Sequence, residues 1–173
     1  MLPIYKIVDG HLTAVSLVEH PAIEEDFMLF SEQKMNFSFD EEKHIAFGPA
    51  MIADMPIYRR SIEKGEYYVV FDAPVIEKLF TEFMQNGKKF TLEHSSDTND
   101  IFLLEAFLKR PGLSPVGYEQ VPDGSLFIAV KVNNEALWAD LKAGKYNGFS
   151  IETTVTANLE EDELTQLIDE LTK

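Results

Sequence analysis

The chain has 173 residues, 45% of them hydrophobic and 12% aromatic, which suits one domain with a real core and excludes wholesale disorder. It has no cysteine, and that removes disulfides, thiolate catalysis and Cys-based zinc sites together. Thirty acidic against fifteen basic residues give a formal charge of −15, a field that repels phosphate backbones and argues against a nucleic-acid partner.

The opening "MLPIYKIVDGHL" lacks a basic segment followed by a long apolar run, so no signal peptide is expected. No apolar stretch approaches the roughly 20 residues of a membrane helix. A soluble intracellular protein without a membrane partner is the expectation. "PIYKIV" (3–8) and "LTAVSLV" (12–18) read as two strands about Asp9-Gly10, a hairpin signal. The segment from about 20 to 44 is polar, acid-rich and irregular, and predicts a mobile loop. "HIAFGPAMIAD" predicts a strand interrupted at Gly48-Pro49, and "PIYRRSIEKGEYYVVFD" a hairpin turning near Lys64-Gly65.

A helix follows. Asp72 is its N-cap, Pro74 lies in its first turn, and Val75, Ile76, Leu79, Phe80, Phe83 and Met84 form one apolar stripe ended by Gly87. "KKFTLEH" and "IFLLEAFLK" read as strands flanking the turn "SSDTND", and "GYEQVPDGSLFIAVKV" as a strand pair turning at Asp123-Gly124. Asn133 or Asn134 caps a short helix, "EALWADLKAG", closed by Gly144. "KYNGFSIETTV" (145–155) is a strand. The acidic run "LEEDELTQLIDELTK" (159–173) predicts an amphipathic helix with Leu164, Leu167, Ile168 and Leu171 on one side, able to serve in docking or self-association. Many antiparallel strands with inserted helices make an α+β chain built on a sheet or barrel.

The strand at 145–155 raises the chemical question. Phe149, Ile151, Thr153 and Val155 share one face, and Ser150 and Glu152 share the other, just after Gly148. A solvated strand face is the commoner reading; a nucleophile with a neighbouring acid is the other. His11, His20, His44 and His94 show no i, i+3 or i, i+4 pairing, so no metal motif of the H-E-x-x-H kind is present. No phosphate loop, dinucleotide fingerprint or G-x-S-x-G elbow occurs, and no cofactor is expected. Glu105, in "LLEAFL", sits among apolar residues, where a lone acid is costly and suggests purpose or a structural role. Arg59 and Arg60 suit an oxyanion less well than ordinary ion pairing. Trp138 reads as core, His20 as part of the loop after the second strand, and His11 and His44 as ordinary polar residues.

Several stretches, in order, resemble the XkdF-like group of phage prohead (capsid-maturation) serine proteases. "AVSLVEHPAIEEDFMLF" is similar to the group's V-S-L-V-x-x-P-A element. "PIYRR" with "EYYVVFDAPVIEKLFTEFMQNGKKFTLEHS" resembles its central block, and "LLEAFL" and "LWADLKAGKYNGFSIE" its later ones; the likeness spans roughly residues 10 to 155. The resemblance implies a mostly antiparallel β-barrel flanked by helices, related to herpesvirus assemblin, with a protease domain over 1–158. It implies a histidine–serine core on two strands, carried here by His94 and Ser150. It also implies phage scaffold and major capsid proteins as substrates, met inside the assembling prohead in the bacterial host cytoplasm. In related prohead proteases a Glu just ahead of the V-S-L-V element orients the histidine; here that position is Ala14, so the acid comes from elsewhere or a dyad suffices. Glu152, two residues or about 7 Å from Ser150 along the strand, is the expected third member, with Glu105 the other candidate. A non-catalytic scaffold-binding module of the same fold is the alternative function.

Overall fold

A computed structural model describes residues 2–18, 37–61, 65–86, 89–93, 96–154 and 159–161. Its strands are β1 (Ile4–Ile7), β2 (His11–Val18), β3 (Ser38–Asp40), β4 (Ile45–Met51), β5 (Ile57–Ser61), β6 (Gly65–Phe71), β7 (Phe90–Leu92), β8 (Ser96–Asp97), β9 (Ile101–Leu108), β10 (Leu126–Val132), β11 (Gly148–Thr154) and β12 (Leu159–Glu161). Two helices, α1 (Ala73–Gln85) and α2 (Glu135–Lys142), complete the described elements. The α+β expectation holds.

The barrel does not. Among the described residues the strands form three open four-stranded sheets, ordered β12-β1-β6-β5, β3-β4-β10-β9 and β11-β2-β7-β8. Pairing is mostly antiparallel, but β1 runs parallel to β6 and β2 parallel to β7. The Asp9-Gly10 corner is the cause of one departure. Instead of closing a hairpin it hands the chain from the first sheet to the third, so β1 and β2 have different neighbours. Asp9 Oδ1 accepts from the Gly10 N–H at 2.8 Å and from Lys78 Nζ, which fixes the corner against α1.

Other local signals produced the expected geometry. Asp72, extended at φ −80° and ψ 166°, accepts from the Val75 N–H at 3.0 Å and caps α1. Val75, Ile76, Leu79 and Phe83 are buried, Phe80 is half-buried, and Met84 turns outward. Asn86 caps the C-terminus, and Gly87 lies outside the described residues. Asn134 caps α2 by accepting from the Leu137 N–H at 3.0 Å, and Gly144 closes it at φ +77°. The β5–β6 hairpin turns into Gly65 at φ +70°.

The chain from 113 to 124 contains no strand; it is a loop, held at its base by the buried Lys109, whose Nζ donates to the Val121 carbonyl at 2.6 Å. β4 runs through Gly48-Pro49 uninterrupted, absorbing the proline at a register shift against β10. β7 and β9 are separated by the short β8 and belong to different sheets. The expected mobile loop from 20 to 44 ends in β3, whose neighbour Phe37 is buried; residues 19–36 lie outside the described residues.

Leu159–Glu161, expected as the start of the acidic helix, instead pair antiparallel with β1, with Glu160 opposite Lys6. Residues 162–173, which hold the rest of that expected helix, lie outside the described residues.

The main core lies between the sheets and under α1, built from residues such as Ile7, Val15, Leu17, Ile76, Leu79, Val130 and Phe149. A second cluster covers the other face of the β3-β4-β10-β9 sheet, where Phe47, Phe127 and Phe107 stack across three strands beneath Tyr118. Burial raises the Tyr118 phenol above its ordinary pKa.

Candidate active site

β2 is the middle of the site. Its residues Ala14 to Val18 are all buried, although they alternate between two faces of the sheet. Val15 and Leu17 belong to the main core with Phe149 and Phe90. Ala14 and Ser16 lie on the opposite face. Across the antiparallel ladder, Ser150 stands opposite Ser16 and Glu152 opposite Ala14. Directly opposed residues share a face, so Ser150 and Glu152 are brought together with Ser16 as the two-residue spacing requires. On the other side of β2, the parallel β7 sets Thr91 beside Ser16.

The side chains on this face meet. Glu152 Oε1 accepts from Thr91 Oγ1 at 2.6 Å and from Ser16 Oγ at 3.0 Å, which uses the single proton of each hydroxyl, and the two hydroxyl oxygens lie in contact with each other. Ser16 is 0% and Thr91 3% exposed, whereas Ser150 and Glu152 are half-buried. One carboxylate oxygen is therefore anchored by buried donors on two strands while its own strand carries the serine. Among the described residues β11 forms the edge of this sheet, with β2 on its one paired side. Beside Glu152 the β2–β11 register shifts, leaving Thr13 as the extra residue; its hydroxyl donates to the Glu152 carbonyl at 3.0 Å. Bulges of this kind re-aim side chains beside functional sites.

His94 lies outside the described residues. The expected strand through it stops sooner: β7 ends at Leu92, and Glu93 turns the chain at φ +48° while its N–H donates to the Leu17 carbonyl at 3.0 Å. Glu93 therefore lies beside β2, one residue along from Ser16.

The other candidates are elsewhere. Glu105 is exposed on β9, in a different sheet, opposite Ala129. Arg59 and Arg60 fall on β5, an edge strand of the first sheet. His11 Nδ1 meets Glu82 Oε2 at 2.8 Å on the surface, and His44 stacks on the buried Trp138 with ring centroids 4.8 Å apart. His20 lies outside the described residues. Among the described residues no three His, Asp or Glu side chains gather so as to hold a metal ion, and no helix is long and apolar enough to cross a membrane.

The family described as "Putative phage serine protease XkdF" matches residues 37–160, well over half the chain. The chain belongs to this family. The XkdF match takes in Thr91, His94, Ser150 and Glu152, and it begins after β2, so Ser16 lies ahead of it. No curated protein and no solved structure matches the chain.

Sequence reasoning had singled out Ser150 and Glu152 but not Ser16 and Thr91. Their signal was present: polar residues at the centres of "AVSLV" and "FTL", where every neighbour is apolar, are costly unless paired.

Proposed function

We propose that the protein is a phage prohead-maturation serine endopeptidase, in which Ser150 is the nucleophile, His94 the general base and Glu152 the acid that orients it. The observation that supports this reading most is the placement of Ser150 and Glu152 on one sheet face, with the carboxylate anchored by buried hydroxyls, in a chain of the XkdF family. A solvated strand face would need no such anchoring. Ala14, which fills the position of the acid in related prohead proteases, stands directly across the ladder from Glu152. Its small side chain leaves the face to a carboxylate supplied from the neighbouring strand.

In this reading Ser150 Oγ attacks the peptide carbonyl carbon as its proton passes to His94. The imidazolium then protonates the leaving amine, and water repeats the sequence to release the acyl group from Ser150. The substrates are the scaffold and major capsid proteins of the assembling head, met inside the prohead in the host cytoplasm.

Co-expression with the cognate capsid and scaffold proteins, followed by mass spectrometry of new termini, tests it. Ser150→Ala and His94→Ala should each remove nearly all processing, and the double variant should be no worse than either, because the pair acts as a unit. Glu152→Gln should slow processing without abolishing it. Normal processing by Ser150→Ala would end the protease reading.

A further inference from the structure

We infer that Ser16 and Thr91 are positioning residues of the protease, acting on Ser150 chemistry only through Glu152; the inference rests on the function proposed above. Both hydroxyls reach the same carboxylate oxygen, Oε1, from β2 and β7 respectively. A carboxylate held by one donor can swing about its side-chain torsions. Held by two donors on separate strands, it has one orientation. The cluster spans three neighbouring strands, so it fixes the acid relative to β7, from whose end the chain enters His94, and relative to Ser150 on β11.

Burial separates this role from a general polar one. Ser16 and Thr91 are enclosed, and a buried hydroxyl pair costs stability unless satisfied. Apolar residues at 16 and 91 would pack there more simply. Neither hydroxyl is a nucleophile in this assignment, since both donate to the acid.

The test uses the full chain and a fluorophosphonate probe, which reports Ser150 reactivity without a known substrate. Thr91→Val and Ser16→Ala should each lower the limiting labelling rate about tenfold, the worth of a hydrogen bond to a charged group, with the probe's half-saturating concentration unchanged. Thr91→Ser, which keeps the hydroxyl, should restore the rate. On a Glu152→Gln background, the same two substitutions should add less than about twofold, because their effect runs through the carboxylate. Ser16→Ala carries the test alone if Thr91→Val fails to fold, with melting temperatures recorded for every variant. Wild-type rates in both variants would overturn this inference and leave the protease reading intact, as would losses that persist in full on the Glu152→Gln background. A wild-type chain that the probe never labels would overturn the protease reading and this inference with it.

Discussion

Glu105 and Glu152 show how differently one residue type is treated by two strands. In the sequence Glu105 is the more provocative acid, because its neighbours are apolar; yet Phe102 and Leu104 beside it are 42% and 46% exposed on an edge strand, so the acid is simply solvated. Glu152 sits in an unremarkable alternation and accepts hydrogen bonds from two buried hydroxyls. Local hydrophobicity cannot distinguish a core strand from an exposed apolar edge; the partner strands decide it. Gly124 is a residue whose requirement is equally tertiary. At φ +86° it takes a conformation that costs other residues roughly 1–2 kcal/mol. A Cβ there would also lie 2.2 Å from Ala73 Cβ, at the first turn of α1. The Asp-Gly signal foretold a turn at this place but not that the turn packs on a helix. Gly124→Ala should lower stability by about 2–4 kcal/mol, since overpacking adds to the backbone cost. Thermal or urea unfolding measures it; a loss under about 0.5 kcal/mol, the range of ordinary surface changes, would mean that neither the backbone conformation nor the helix contact carries the cost assigned to it.

Elements were legible where their signals are local. Both helix N-caps, the apolar stripe of α1 and the β5–β6 hairpin follow from side chains within a few residues of one another. Pairing across the chain was not legible. β2 lies between β11 and β7, more than seventy residues away in sequence, and nothing in "LTAVSLV" names those partners. For the same reason the two serines and Thr91 could be recognised as polar residues in apolar strands, but not as one cluster with Glu152. The first three residues of the acidic C-terminal run are the clearest reversal at this scale. The run's periodicity suits a helix, but Leu159–Glu161 take the open edge of β1, where three residues gain backbone pairing and Glu160 faces Lys6. Cross-strand pairs contribute roughly 0.2–1 kcal/mol each. A chain shortened by residues 159–173 should therefore melt several degrees below one shortened by residues 162–173 only, because about 1–2 kcal/mol of pairing is lost. Equal melting temperatures would show that the β12 edge contributes nothing to stability.

At the scale of the whole molecule the excess of acid acts against the fold. Ion pairs are present, among them Lys6–Asp72, Lys142–Glu41 and Lys145–Asp140, but these sit at the surface, where a pair contributes little. Lys145 is held above its ordinary pKa by the hydrogen bond and charge of Asp140, and Asp9 below its own by the hydrogen bonds from Lys78 and Gly10; both pairs are at the surface and easily screened. The remaining charge, −15 in formal terms, has no opposite partner to offset it, and its repulsion is relieved when the chain expands. Salt decides between the two contributions. At about 10 mM ionic strength the screening length is roughly 30 Å, comparable to a domain, so every acid feels the others; at about 150 mM it falls to roughly 8 Å, and only near neighbours interact. Screening weakens the local pairs and the global repulsion together, but the repulsion involves many more charges. Raising sodium chloride over that interval at neutral pH should therefore raise the melting temperature, with most of the gain complete by the upper end. Potassium chloride should reproduce it at equal ionic strength, since the effect is screening and not binding of one ion. A melting temperature that falls with salt would show that the surface pairs outweigh the net charge.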